Sequence, residues 1–308
     1  MTSDGLDLDG RVAIVTGAGG GLGRSHALLL AERGARVVVN DLGSSVDGSG
    51  GGSAAADAVV TEIRDAGGEA VANADGVHTW DGGAAIVATA LDAFGRIDVV
   101  VNNAGILRDV SFAKLGPDHL RPVLDVHLAG AFHVTRAAWH HFRELEFGRV
   151  VCTTSGSGLY GNFGQSNYAA AKLGLVGLTR TLAIEGARYG IHANAIAPIA
   201  SSRMTEDVMP AEVLERLQPE HVSPLVAYLC APACDESGSV FSVGGGYVAR
   251  VAIVEGEGVA FDDVPTVEQL ADRFGEVRDL GDATEFRGGL ADQVTRMSEV
   301  LGIETQEQ

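Results

Sequence analysis

Residues 11–23 read Arg-Val-Ala-Ile-Val-Thr-Gly-Ala-Gly-Gly-Gly-Leu-Gly, and the apolar run Ala27-Leu-Leu-Leu-Ala31 follows closely. A short apolar stretch, a glycine turn and an apolar-periodic segment predict strand, turn and helix. Glycines let backbone come close to a pyrophosphate, and the start of the next helix offers unpaired N–H groups and a positive dipole end. Gly17, Gly21, Leu22 and Gly23 are the candidate contacts. A lone glycine pattern is weak evidence, so its context decides. Ala35-Arg-Val-Val-Val-Asn40 predicts a second strand with Asp41 at its C-terminal end, about 20 residues past the glycines, where an acid accepts from adenosine ribose hydroxyls. That anion repels a 2′-phosphate, and no basic residue among Ala18, Gly19 and Gly20 welcomes one, so NAD is expected over NADP. The plainer reading of Asp41 is a loop residue capping a turn.

Strand and helix signals continue to alternate. A helix is expected near Ala54 to Asp65, a strand over Ala70 to Ala74 with Asp75 at its end as a candidate adenine contact, and a helix near Gly82 to Phe94. The strand Ile97 to Val101 runs into Asn102-Asn103-Ala104-Gly105, a turn of small residues suited to close approach of a cofactor. One long helix over roughly 118–144 precedes a fifth strand, Arg149 to Thr154; Ile191 to Ile196 and Ser239 to Val243 continue the sheet. This order predicts an α/β fold, a Rossmann-type doubly wound parallel sheet with a C-terminal extension. The Gly/Ser-rich insertion Gly43 to Ser53 reads as a mobile surface loop. Pro198 to about Leu217 reads as a substrate lid. The division expected is a catalytic domain over 1–249 and an extension over 250–308, packed on that domain or at a dimer interface. In the extension, one or two strands are expected over Val248 to Ala260, a helix begun by a Thr266/Gln269 capping box, and a last helix near Gly289 to Leu301.

Composition bounds the function. With 308 residues and 46% hydrophobic content the chain can bury a substantial core. No apolar run approaches the roughly 20 residues that span a bilayer, so no membrane role is expected. The formal net charge of −19 argues against nucleic acid as a partner. Cys152, Cys230 and Cys234 form neither a disulfide framework nor a metal-ligand spacing, which suits buried thiols and a reducing cytoplasm.

The chemistry is concentrated in Ser166-Asn-Tyr168-Ala-Ala-Ala-Lys172, at the start of an Ala- and Leu-rich helical stretch. Residues four apart share a helix face, which sets the phenol of Tyr168 beside the ammonium of Lys172. A phenol, with a pKa of roughly 10, becomes a usable general base when a cation favours its phenolate. The 22 basic residues include only Lys114 and Lys172 as lysines, so a compact ammonium is kept here where arginine serves elsewhere. The same spacing also describes an ordinary helix-surface pair. Ser155 stands just past the fifth strand, at the edge where open parallel sheets place their ligands.

Thr16-Gly17-x-x-x-Gly21-x-Gly23, Asn102-Asn-Ala-Gly105, Ser155, Tyr168-x-x-x-Lys172 and Asn194-x-Ile-x-Pro198 together resemble the short-chain dehydrogenases/reductases, in family order, over roughly the first 245 residues. Val39-Asn-Asp-Leu-Gly43, Gly158-Leu-Tyr-Gly-Asn-Phe-Gly-Gln165 and Ser202-Arg-Met-Thr205 look, more narrowly, like the (3R)-hydroxyacyl-CoA dehydrogenase units of type 2 peroxisomal multifunctional enzymes, also called type 4 17β-hydroxysteroid dehydrogenases. The resemblance implies a free-standing bacterial enzyme that oxidises a 3-hydroxyacyl-CoA, or a free steroid, and forms a homodimer or homotetramer; a non-catalytic NAD-binding sensor is the reading from another class. It implies that Tyr168 is the base, Ser155 the substrate-oxygen donor and Lys172 the ribose contact, with Pro198 and Thr205 near the nicotinamide. Two positions depart from the family pattern: His127 stands where a relay Asn is usual, and Ile199 where Gly is common. Arg108 and Arg203 are candidates for CoA phosphates or ordinary solvated arginines.

Overall fold

The computed structural model describes residues 5–199 and 217–301. Its compact units are Met1–Arg250 and Val251–Gln308. In the first unit β1 (Val12–Thr16), β2 (Arg36–Asn40), β3 (Ala70–Asn73), β4 (Val99–Asn102), β5 (Gly148–Thr153), β6 (Ile191–Pro198), β7 (Val240–Gly244) and β8 (Tyr247–Val251) form one sheet in the order β3-β2-β1-β4-β5-β6-β7-β8. Neighbours pair in parallel from β3 through β7. The chain leaves β1 towards β2 and returns on the other side at β4, so the switch point lies between β1 and β4, where ligands bind outside the carboxyl ends of such sheets.

The central strands are buried on both faces, which is why Val-Ala-Ile-Val-Thr and Val-Val-Val-Asn read as continuous apolar runs rather than alternating ones. Helices α1 (Gly21–Glu32) and α2 (Ala54–Asp65) pack on one face around Leu30, Val59 and Ile63. α3 (Trp80–Phe94) contacts the helix that precedes β5. The expected long helix is broken into α4 (Pro117–Leu124), a π-helical turn (Asp125–Ala129) and α5 (Gly130–Leu145). α6 (Gly156–Tyr160) and α7 (Ser166–Gly186) follow β5, and α8 (Ser223–Cys230) packs against α1. β7 and β8 are joined by Gly245-Gly246, with φ of 58° and 86°, the left-handed pair that a two-residue hairpin requires.

The second unit holds α9 (Val267–Asp272), α10 (Phe274–Val277) and α11 (Leu290–Val300). The Thr266/Gln269 capping box is formed in both directions. Of the one or two strands expected here one is found, β8, at the edge of the sheet already described, with an isolated bridge between Glu255 and Thr284 beyond it. Most of the expected lid, including Arg203 and Thr205, lies outside the described residues.

The insertion Gly43 to Ser53 carries hydrogen bonds that its Gly/Ser composition does not announce. Gly52 N donates to Leu42 O at 2.8 Å and closes its base. Within it the Asp47 carboxylate accepts from the Ser45 hydroxyl and from the Ser49 hydroxyl and backbone N–H. Short polar side chains that bond neighbouring backbone supply order that a Gly/Ser count does not reveal.

Candidate active site

One cavity of about 690 Å³ runs along the carboxyl edge of the sheet, bounded by the glycine turn, Asp41, Asp75, Gly105, His127, Ser155, Tyr168, Lys172 and Pro198. The glycine turn forms because its backbone has no room for side chains. Gly17 sits at φ 63° with a Cβ position 2.7 Å from Ala104 Cα, and a Cβ on Gly23 would lie 2.2 Å from Gly17 O. Thr16 and Asn103 hold this turn. Thr16 Oγ1 accepts from the N–H groups of Asn103 and Ala104, and Asn103 Nδ2 donates to the carbonyls of Thr16 and Gly17 at 3.0 and 3.2 Å. The Asn103 amide, read from the sequence as a cofactor contact, is thus engaged in bracing the turn.

α1 has Gly20 at its N-cap, no side-chain cap and no acid in its first turn, leaving its N–H groups for a phosphate. Asp41 Oδ2 accepts from Gly19 N at 2.8 Å, and Oδ1 from Gly43 N at 2.7 Å. It therefore caps the turns around it and also lines the cavity. A Cβ on Gly19 would lie 2.8 Å from the Asp41 carboxyl carbon, so the glycine turn packs directly against this side chain. Asn40 donates to Asn73 Oδ1 and Asp75 O, and Asn73 to the Asp75 carboxylate, so Asp75 is held at the rim by a buried amide pair.

Ser155 is the N-cap of α6, its hydroxyl accepting from Ser157 N at 3.2 Å. Tyr168 and Lys172 occupy the first turns of α7, which is clasped to β5 at two points: Thr154 Oγ1 donates to Lys172 O, and Lys172 Nζ donates to Thr153 O. Gly158 permits the approach of α6 to α7, since its Cβ would sit 2.8 Å from Lys172 Cβ. Lys172 Nζ lies 5.5 Å from the Tyr168 ring centre.

The expected electrostatics need correction. Tyr168 is raised above the ordinary phenol value, chiefly by burial and secondarily by Asp109, while the Ser155 hydrogen bond opposes this. The Lys172 ammonium is turned to Thr153 O, and burial brings its own pKa down to about 7.

His127 sits in the π-helical turn, 3% exposed, with its ring perpendicular to that of Tyr168 at 5.1 Å. Its Nε2 lies 2.8 Å from Ile106 O and 3.1 Å from Ile106 N, and Nδ1 has no partner. Nε2 donates to Ile106 O in one tautomer and accepts from Ile106 N in the other. Burial, and then the Lys172 charge, hold its pKa well below the usual imidazole range, so the ring is neutral. Pro198 and Ile199 line the cavity, and Ile199 N pairs with Val243 O at 2.8 Å, so the position where Gly is common still continues the β6 ladder. Arg108, a candidate for CoA phosphates, is bonded to two carbonyls, Asp47 O at 3.0 Å and Asp118 O at 2.7 Å. Sequence reasoning missed Thr153 and Asn167 as supports. Neither has a local signal, because both act through contacts made only on folding.

The site and sheet together define a dinucleotide-dependent oxidoreductase class. The short chain dehydrogenase family matches residues 11–212, and the chain belongs to that family. It is 61% identical to a short-chain type dehydrogenase/reductase of Mycobacterium tuberculosis, over 89% of this chain and 96% of that one. It is 58% identical to peroxisomal multifunctional enzyme type 2 of Mus musculus, over 80% of this chain but 33% of that enzyme. A hydroxyacyl-CoA dehydrogenase of Mycobacterium tuberculosis is 39% identical over 89% of this chain and 91% of its own length. The solved full-length multifunctional enzyme type 2 of Drosophila melanogaster superposes with a TM-score of 0.82, covering 96% of this chain and 50% of that one. The chain is thus close to the dehydrogenase part of type 2 multifunctional enzymes and spans a third to a half of their length. All three cysteines are free and buried, and no metal-ligand cluster occurs among the described residues.

Proposed function

We propose that this chain is an NAD-dependent dehydrogenase that oxidises the 3-hydroxyl of a (3R)-hydroxyacyl-CoA to the 3-oxoacyl-CoA. The observation that carries the reading is the convergence of Ser155, Tyr168 and Lys172 on one cavity with the glycine turn at the sheet's switch point. The uncapped start of α1, the positive-φ glycines and Asp41 fit a dinucleotide without a 2′-phosphate. The likeness to the dehydrogenase part of multifunctional enzymes and to a hydroxyacyl-CoA dehydrogenase supports the acyl-CoA assignment.

When bound, the dinucleotide supplies a two-electron hydride acceptor. Tyr168 takes the proton of the substrate hydroxyl as its C3–H bond is given up. Ser155 holds that oxygen in line, and Lys172 binds the ribose. His127 supports the rear of the site: in the tautomer whose Nε2 donates to Ile106 O, its Nδ1 is an acceptor for a water that passes the proton onward. Pro198 and Thr205 are assigned to the nicotinamide side. α5 exposes Phe132 and α7 exposes Leu173 and Ile184, which suits a homo-oligomer. Buried free thiols suit a reducing compartment such as the cytoplasm.

Steady-state kinetics with NAD test the reading. A (3R)-hydroxyacyl-CoA should give a higher kcat/KM than a free 17β-hydroxysteroid, and the reverse order would replace the acyl thioester by the sterol. Binding of NADH without turnover of either substrate would favour the sensor.

A further inference from the structure

The insertion after β2 is bonded to the segment after β4. From Leu42 it extends to the segment that follows β4, where Leu107 N donates to Val46 O at 2.9 Å and Arg108 Nε to Asp47 O at 3.0 Å. Gly48 faces Ile106, with a Cβ position 3.2 Å from Ile106 Cδ1. β2 and β4 flank β1, so the insertion must pass over the carboxyl edge of β1 and its glycine turn. Ser44, Ser45, Val46 and Gly48 accordingly share one cavity with Gly17, Gly21 and Asp41.

Arg108 is held from the other side by a local defect in α4. Pro122 has no N–H to give to the carbonyl four residues before it, and that freed carbonyl, Asp118 O, accepts from Arg108 Nη1 at 2.7 Å. The backbone carbonyl of Arg108 accepts from Asn167 Nδ2 at 3.0 Å, and Asn167 is the buried residue next to Tyr168. One guanidinium therefore ties the insertion to α4, and one backbone carbonyl ties the same point to the start of α7.

We propose that Gly43–Ser53 is a strap across the cofactor groove, latched by Arg108, and that the latch sets how fast the dinucleotide leaves. This rests on the cofactor assignment above. Arg108 is a positioning residue on this account and does not meet substrate phosphates. The Asp47 carboxylate, held down to about pKa 2 chiefly by its Ser45 and Ser49 hydrogen bonds, keeps the strap's tip folded so that its carbonyl faces the latch.

The experiment is NADH release by stopped-flow fluorescence, with NADH affinity from equilibrium titration, for the unmodified chain, Arg108→Ala, Arg108→Lys and Asp47→Ala. Arg108→Ala should raise both the release rate and Kd about tenfold, as expected for losing charge-assisted hydrogen bonds. Arg108→Lys, with fewer donors, should fall between. Asp47→Ala should shift both quantities in the same direction as Arg108→Ala although it removes the opposite charge. A simple field effect would make Asp47→Ala bind NADH more tightly, and that result would overturn the strap. So would unchanged release in Arg108→Ala accompanied by a raised KM for the acyl-CoA, which would return Arg108 to the substrate phosphates. Failure of the unmodified chain to bind NADH would remove the cofactor assignment itself and the strap with it.

Discussion

Lys172 is a nearly fully buried ammonium whose pKa falls from 10.5 to about 7, first through burial, with Cys152 opposing weakly. Because the folded value lies below the unfolded one, the unfolded chain binds more protons between about pH 7 and 10.5, and stability rises with pH across that window. The penalty is fully present below pH 7. At about 1.4 kcal/mol per unit it is worth on the order of a few kcal/mol. Lys172→Met should therefore gain most in melting temperature over the unmodified chain below about pH 7, with the gain shrinking as pH approaches 10.5; a pH-independent difference would contradict this. Asp41 makes the second residue-scale prediction. The unmodified chain should prefer NAD to NADP by at least about tenfold in kcat/KM, a modest preference of about 1.4 kcal/mol, and Asp41→Ala should narrow it. Equal use of both cofactors by the unmodified chain would refute the assignment.

Asp41 was legible from its position after an apolar run, because the strand end fixes where the side chain stands. The electrostatics of Lys172 were not, since i,i+4 spacing gives proximity but neither the Thr153 carbonyl that accepts its hydrogen bond nor the burial that weakens its charge.

At the scale of elements, the strands and α2 were readable because both-face burial and helical periodicity mark them in the chain. The π-helical turn at Asp125–Ala129 was not, because one extra residue in a turn leaves the apolar pattern nearly intact. The order of the strap was hidden for the opposite reason, its Gly and Ser content resembling a linker while its hydrogen bonds are made by Asp47 and by partners after β4. The seat of α7 on α6 gives the element-scale prediction. A Cβ on Gly158 would lie 2.8 Å from Lys172 Cβ and 3.0 Å from Leu173 N, so Gly158→Ala must push the two helices apart. Overpacking of this kind costs about 1–3 kcal/mol. A thermal melt should show that loss, with kcat falling more than NADH affinity because the Tyr168–Lys172 end of α7 moves. Unchanged stability and turnover would mean that the helices yield without cost.

At the scale of the whole molecule, a net charge of −19 opposes an anionic acyl-CoA at long range. The charge was legible from composition alone, whereas the cavity that must overcome it required the fold. Screening shortens from roughly 30 Å at 0.01 M salt to 10 Å at 0.1 M. KM for the acyl-CoA should therefore fall as salt is added over this range, and KM for an uncharged sterol should not. A rise for the acyl-CoA would instead indicate a local cationic seat strong enough to outweigh the field.

The central claim is that the Tyr168 phenol is the base of a dehydrogenase acting on a 3-hydroxyacyl thioester, and turnover of Tyr168→Phe with saturating NAD tests it most directly. The account predicts a fall in kcat of about 10²–10⁴-fold, the range for loss of a positioned general base, with NADH binding and melting temperature retained. Turnover equal to that of the unmodified chain would contradict it.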